Sequence, residues 1–154
     1  MGRPSFVQGT LFLSIAIASV APWGYAQRAE STPPEAYKRT YAQNYKDMVL
    51  ATCLTNAYQS SLDAGKDIGS SVSALRDWTY YDLEQHPAAV QSLIKRYLAR
   101  NYFNPLAEAE IKDVRFDFLK CLDLYHGEEL DSLAKALVFD PDQTSQRANA
   151  KRKE

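Results

Sequence analysis

Residues 116–126 read FDFLKCLDLYH and, together with Val114, form the most apolar helical stretch of the chain. Their apolar side chains cover most of the circumference of a helix. A narrow polar line remains, formed by Asp113, Asp117, Lys120 and Asp123. A helix that is apolar on nearly all sides is expected to be central and buried. The stretch therefore predicts a core helix over residues 114–126, ended by Gly127 as a C-terminal cap.

Four more helices are predicted around this central one. They cover residues 35–61, 70–85, a stretch from Pro87 to before Asn104-Pro105, and 128–138. The first carries an apolar residue at every fourth position: Tyr41, Tyr45, Val49, Cys53 and Ala57. Such spacing places side chains on one face of a helix, and no stretch alternates as a strand does. The predicted fold class is all-α, a compact bundle of about five helices with short loops.

The N-terminus has the features of a secretory signal peptide. Arg3 supplies a positive charge, residues 11–21 form an uncharged apolar run, and Gly24-Tyr25-Ala26 resembles a cleavage site. The run is much shorter than the roughly 20 residues that a transmembrane helix needs. We therefore predict a signal peptide over residues 1–26, cleaved after Ala26, with an uncut signal anchor as the alternative. The mature protein would be periplasmic and have no membrane segment.

The segments on either side of the helices are polar. Residues 27–34 contain Pro33-Pro34 and predict a flexible linker, which gives a helical domain over residues 35–139. Residues 140–154 hold almost no large apolar residue and predict a disordered tail. The net charge of −1 and the pI of about 6.1 give no indication of nucleic-acid binding.

The two cysteines, Cys53 and Cys121, are expected to form one disulfide, because an exported chain folds in an oxidising compartment. The alternative is two buried free thiols. The bond would attach the first helix to the central helix. It would also leave no thiolate for a Cys–His hydrolase that used His86 or His126 as its base.

Other chemistry is sparse. The two histidines lack the spacing of a metal pair, so neither a metal nor another cofactor is predicted. Acidic groups such as Asp77 with Asp82 and Glu84, or Glu108 with Glu110, could serve glycoside hydrolysis, but solvated helix faces and loops are the far more common explanation. Tyrosine is abundant, and Tyr37 and Tyr41, which precede the main core positions, are candidates for a homodimer contact.

Residues 101–113, called here the long connection, link the third and fourth predicted helices. Their thirteen residues exceed the roughly 2–8 that usually join helices in a bundle. The segment reads NYFNPLAEAEIKD and mixes aromatic, amide and carboxylate side chains around a proline. Long loops in compact domains are often functional, and an idle surface loop is the alternative.

The core-helix stretch, the following ELDSLAK (129–135), and the upstream WTYYD (78–82) and LIKRYLARNY (93–102) resemble a known family. They are similar to the immunity proteins that protect bacteria against type VI secretion amidase effectors, and most similar to the fourth class of these. The resemblance extends from about residue 41 to residue 138, and the segment around Cys121 is its most specific part.

This resemblance implies a periplasmic, non-enzymatic, all-helical homodimer. Such a protein would bind a cognate amidase toxin of the Cys–His type, which cuts the peptide stems of peptidoglycan. It would obstruct the toxin's cleft with a projecting loop. On this interpretation the toxin-facing residues are His86, Asn101, Tyr102, Phe103, Asn104, Glu108, Glu110 and Asp113. Two other classes stay open at this point: a periplasmic cell-wall hydrolase, and a generic helical adaptor or chaperone.

Overall fold

Seven α-helices and a short 3₁₀ helix form the part of the chain that the computed structural model describes. That part is Gly2 and residues 31–152, without the side chains of residues 108 and 109. The 3₁₀ helix Glu35–Lys38 precedes α1 Tyr41–Ala57, α2 Leu62–Asp77, α3 His86–Leu98, α4 Pro105–Glu110, α5 Asp117–Tyr125, α6 Glu128–Leu137 and α7 Ser145–Lys151. These residues contain no strand, only two isolated β-bridges, so the all-α prediction is confirmed. Except for Gly2, the predicted signal peptide and residues 27–30 of the linker lie outside the described residues.

Helix α1 is placed by its N-terminal cap and by its apolar face. The Thr40 hydroxyl accepts a hydrogen bond from the amide of Gln43, and the Gln43 side chain accepts one from the amide of Thr40. This reciprocal pair satisfies two donors that a helix start would otherwise leave free. The predicted face is buried at Tyr45, Val49, Cys53 and Ala57, as the fourfold spacing indicated.

Helix α5 runs antiparallel to α1. The Tyr125 hydroxyl donates to Asp47 at 3.1 Å, Cys121 is bonded to Cys53, and the Arg115 guanidinium donates to the carbonyl of Ala57. The expectation that this helix is buried on nearly all sides is wrong. Its Phe118 and Leu119 are 51% and 45% exposed. Helices α1, α3 and α6 contact α5, and these two side chains lie on the part of its surface that they leave uncovered.

The second predicted helix differs in both boundaries. Helix α2 starts at Leu62, so Gly65 and Gly69 lie inside it, and the predicted loop there is absent. The Ser70 and Ser71 hydroxyls donate to the carbonyls of Lys66 and Asp67, four residues earlier in the same helix. The helix ends at Asp77, since residues 80–82 leave it to hydrogen-bond with residues 137 and 139. None of the described helices is long and apolar enough to cross a bilayer.

The C-terminal segment also differs from the sequence prediction, which expected disorder from residue 140. The carbonyls of Pro141 and Gln143 accept hydrogen bonds from the amides of Ala42 and Tyr41, at 3.0 and 2.8 Å. These amides lie in the first turn of α1, where donors lack partners within the helix. Thr144 is buried and caps α7. The polar side chains of this segment do not indicate the contact, because backbone groups make it.

Position 127 requires a glycine because a side chain would not fit there, and not because its backbone is left-handed. Its φ is −79°, and it forms the N-cap of α6, whereas His126 ends α5. A Cβ atom at this position would lie 2.6 Å from the Tyr97 hydroxyl and 3.0 Å from the carbonyl oxygen of Asp123. The tight turn between α5 and α6 therefore passes directly against α3.

Candidate functional site

The disulfide between Cys53 and Cys121 is present, as predicted, and both residues are fully buried. Within residues 31–152 there is no free cysteine. A Cys–His hydrolase would need a thiolate, and both sulfurs are engaged in the bond. The same range contains no cluster of three or more His, Cys, Asp or Glu side chains that could hold a metal ion.

The long connection contains a short helix, α4, that the sequence analysis treated as loop. The Asn104 side chain accepts hydrogen bonds from the amides of Leu106 and Ala107, at 3.1 and 3.4 Å. Pro105 occupies the first turn, where its missing N–H has no cost. Asn104 thus acts as a cap, and a proline followed by good helix formers explains why one turn of helix forms here.

Large apolar side chains of the long connection point to solvent. Phe103, Leu106 and Ile111 are 68%, 83% and 64% exposed. Phe103 also lines a shallow cavity of about 350 Å³ with Phe116 and Leu119. A cluster of exposed apolar residues with polar neighbours is typical of a surface that binds another protein.

Two of the three acidic residues predicted for this surface have described side chains. Glu110 and Asp113 are exposed, and Lys112 is exposed between them. Glu108 lies within α4, and its side chain is outside the description. The C-terminal half of the connection therefore carries carboxylates beside apolar side chains, which gives it the composition of a mixed binding surface.

Contacts at both ends hold the long connection against the core. The Tyr102 hydroxyl donates to the carboxylate of Asp123 on α5, and this hydrogen bond raises the pKa of Tyr102. At the other end, Asp113 and Phe116 have φ angles of 62° and 55°. A left-handed backbone is unfavourable for a phenylalanine, so the surrounding contacts must hold it there.

Most of the predicted toxin-facing residues lie in one segment of the structure, and His86 is separated from them. Residues Asn101 to Asn104, Glu110 and Asp113 belong to one connection at the C-terminal end of α3. His86 lies at the N-terminal end of that helix, about 18 Å away along its axis. The imidazole is half-buried against the rings of Tyr45 and Tyr81, and its Nδ1 lies 3.2 Å from the Tyr45 hydroxyl.

The candidate dimer residues Tyr37 and Tyr41 are both half-buried. Tyr37 lies in the 3₁₀ helix, and Tyr41 begins α1 and packs against the core cluster. Each leaves part of its ring accessible at the start of α1. Their role in a homodimer stays a prediction.

Sequence reasoning missed several residues at this site. Leu106 and Ile111 were not singled out, and Phe118 and Leu119 were assigned to the core. Asp117 and Lys120 were assigned to a solvent-facing line, but they are 8% and 5% exposed. An available signal was that Leu106 and Ile111 are large aliphatic residues in a segment predicted to be a surface loop.

The environment of His86 predicts a loss of stability in acid. Burial, reinforced by the positive charge of Arg76, lowers the pKa of His86 below its ordinary value of 6.5. The unfolded chain therefore binds a proton more readily than the folded one as the pH falls through 6.5, and the free energy of unfolding should decrease there. In urea titrations between pH 7.5 and 5, His86→Gln should reduce this decrease. Parallel pH curves for variant and wild type would contradict the assignment.

These features describe a small all-α protein, cross-linked by a disulfide, that presents an apolar connection at one end of its helical core. The family model of type VI secretion system (T6SS) amidase immunity proteins, Tai4, matches residues 43–134. The match covers more than half of the chain, which therefore belongs to this family.

Solved structures agree with this assignment. A Serratia marcescens chain, described with new type VI-secreted toxins and self-resistance proteins, is 28% identical with a TM-score of 0.69. The match covers 81% of this chain and 98% of the other. A chain from the Tae4/Tai4 effector–immunity system of Salmonella typhimurium shares the fold at 21% identity and a TM-score of 0.57, covering 68% and 95% of the two chains. A search of curated proteins finds no match.

Proposed function

We propose that this protein is a periplasmic immunity protein that binds a type VI peptidoglycan amidase effector and blocks its active-site cleft with the long connection. It has no catalytic activity of its own. The proposal rests on the family membership and on one structural observation. The connection exposes Phe103, Leu106 and Ile111 although Tyr102 at one end bonds to Asp123 and Arg115 just after the other end bonds to the carbonyl of Ala57.

The apolar residues supply the binding free energy in this proposal. An aromatic side chain that is mostly solvated in the free protein gains from burial in a partner, and such anchors dominate protein interfaces. Because the connection is already held in place, little conformational entropy is lost when it binds. Glu108, Glu110 and Asp113 complement basic groups on the rim of the toxin cleft and accelerate the encounter.

The finer parts of the proposal follow the family resemblance. The toxin is of the Cys–His type, the leader is cleaved after Ala26, and the mature protein is a homodimer with Tyr37 and Tyr41 at the contact. His86, at the far end of α3, is a secondary contact, because most of its ring is already engaged by Tyr45 and Tyr81. The buried disulfide suits an oxidising compartment and supports the periplasmic location.

Phe103→Ala should weaken binding to the amidase encoded with this protein roughly 30-fold, the equivalent of about 2 kcal/mol for a central anchor. Surface plasmon resonance with the purified amidase measures the effect, expected mainly as faster dissociation. Phe139→Ala is the matched control, because Phe139 is also an exposed phenylalanine, at 46%, and lies outside the connection, just after α6. Equal affinities for Phe103→Ala and the control would move the site away from the long connection.

Reversing Glu108 and Glu110 to lysine tests the electrostatic part. Association with the amidase should slow roughly tenfold at low salt, and the difference should shrink as ionic strength rises. Reversal of Glu35 and Asp142 to lysine makes the same change in net charge away from both the connection and His86, and should leave association nearly unchanged. If wild-type protein binds no amidase, or releases fragments from peptidoglycan by itself, the proposed function is wrong.

A further inference from the structure

A buried ion pair lies at the base of the long connection. Asp117 and Lys120, one turn apart at the start of α5, have side chains that are 9% and 7% exposed, and the Lys120 Nζ lies 3.1 Å from the Asp117 Oδ1. Two charges that are removed from water lose most of their hydration free energy, and their mutual attraction only roughly compensates for this loss. An apolar pair of similar size would serve stability equally well, so the pair calls for another explanation.

The other partners of the two side chains lie on the elements that flank the connection. Lys120 Nζ donates to the carbonyl of Leu98, the last residue of α3, at 3.2 Å. The second carboxylate oxygen of Asp117 accepts from Arg115, which also donates to the carbonyl of Ala57 at the end of α1. Leu98 lies just before the connection and Arg115 just after it. The ion pair therefore links both of its ends to the ends of two core helices.

The same contacts enclose the strained residue. Phe116, with its φ of 55°, stands between Arg115 and Asp117, which are bonded to each other. A residue in an unfavourable backbone region persists only where its surroundings fix it. The Lys120 ammonium also lies 5.9 Å from the centre of the Tyr102 ring, whose hydroxyl is bonded to Asp123. The beginning and the end of the connection thus meet at Lys120.

We propose that Asp117 and Lys120 are positioning residues that hold the long connection in its toxin-binding conformation before the toxin arrives. The inference rests on the proposed function. The pair itself makes no contact with the toxin and acts through residues 101–116. If it is removed, the connection samples other conformations, and the apparent dissociation constant rises in inverse proportion to the competent fraction.

The test is the double variant Asp117→Asn with Lys120→Met, which removes both charges and leaves neither ion unpaired. Hydrogen exchange of the free protein reports on the connection through the amides of Leu106, Ala107 and Ile111, which are hydrogen-bonded within it. We expect amidase affinity to fall roughly tenfold, which requires the connection to adopt other conformations about nine-tenths of the time. Exchange of these three amides should then approach that of unprotected amides, with the amides of α1, α3 and α6 unchanged. The matched control, Lys46→Met with Asp131→Asn, removes an ion pair between α1 and α6 and should leave both readouts as in wild type.

Unchanged exchange in residues 101–116, or an equal acceleration in the core helices, would overturn the positioning role. If the double variant does not fold, Arg115→Ala carries the same test. The Arg115 side chain is 71% exposed, and its removal breaks the link between Asp117 and the end of α1. Exchange is measured without the toxin, so a protein that binds no amidase but shows the local acceleration would refute the proposed function and retain the positioning pair.

Discussion

Removing the disulfide between Cys53 and Cys121 should lower the free energy of unfolding by about 4 kcal/mol. The bonded residues are 68 positions apart, so the bond closes a long loop and greatly restricts the unfolded chain. It also joins the C-terminal third of α1 to the middle of α5. Urea unfolding of oxidised and reduced protein, followed by circular dichroism, measures the difference.

The double variant Cys53→Ala with Cys121→Ala separates the effect of losing the cross-link from any other effect of the reductant on stability. Its unfolding midpoint should match that of the reduced wild type to within the effect of two lost sulfur atoms, and added reductant should not shift it further. If reduction leaves the wild-type midpoint in place, the cross-link does not stabilise this fold. A protein stabilised to this extent by a disulfide depends on an oxidising compartment.

Asn44→Ala should cost about 3 kcal/mol of stability, since two interior carbonyls lose a donor. The Asn44 side chain is fully buried, and its Nδ2 donates to the carbonyls of Ala36 and Trp78 at 2.8 and 3.0 Å. One asparagine thereby fastens the 3₁₀ helix and the end of α2 to the start of α1. Denaturant unfolding at pH 7 gives the change in free energy.

Asn56→Ala is the matched control on the same helix. Asn56 makes one solvent-accessible hydrogen bond, to the Gln91 side chain at 3.2 Å, so its loss should change stability by less than about 0.5 kcal/mol. Asn44→Asp should be at least as harmful as Asn44→Ala, because a carboxylate cannot donate to the two carbonyls. Similar costs at positions 44 and 56 would contradict this account of Asn44.

Periodicity predicted the parts of the fold that burial alone decides. The fourfold spacing from Tyr45 to Ala57 identified the inner face of α1. The predicted boundaries of α2 were wrong because glycine and serine are typical of loops, whereas the glycines and serines of this segment lie inside the helix. Residues 141–144 were missed because their contacts with α1 are made by main-chain groups, which leave no pattern in the side chains.

The candidate site was predictable to the extent that length and aromatic content set the long connection apart. The burial of Lys120 was not predictable, because besides Asp117 it needs the carbonyl of Leu98, a backbone group that only the folded chain brings near. The sequence also grouped His86 with this surface, whereas the length of α3 separates the two. Spacing along a chain predicts neighbours on one helix and gives little information about which helix ends meet.

The bridge between Thr40 and Thr144 has a practical consequence for attaching this protein to a support. It seats α7 beside the start of α1, whereas the long connection is tied to the other end of α1 at Ala57, about 25 Å away by helix length. An affinity handle or fluorophore carried beyond α7 would therefore stand clear of Phe103 and its neighbours. Immobilisation through that handle leaves the apolar side chains of the connection facing free solution.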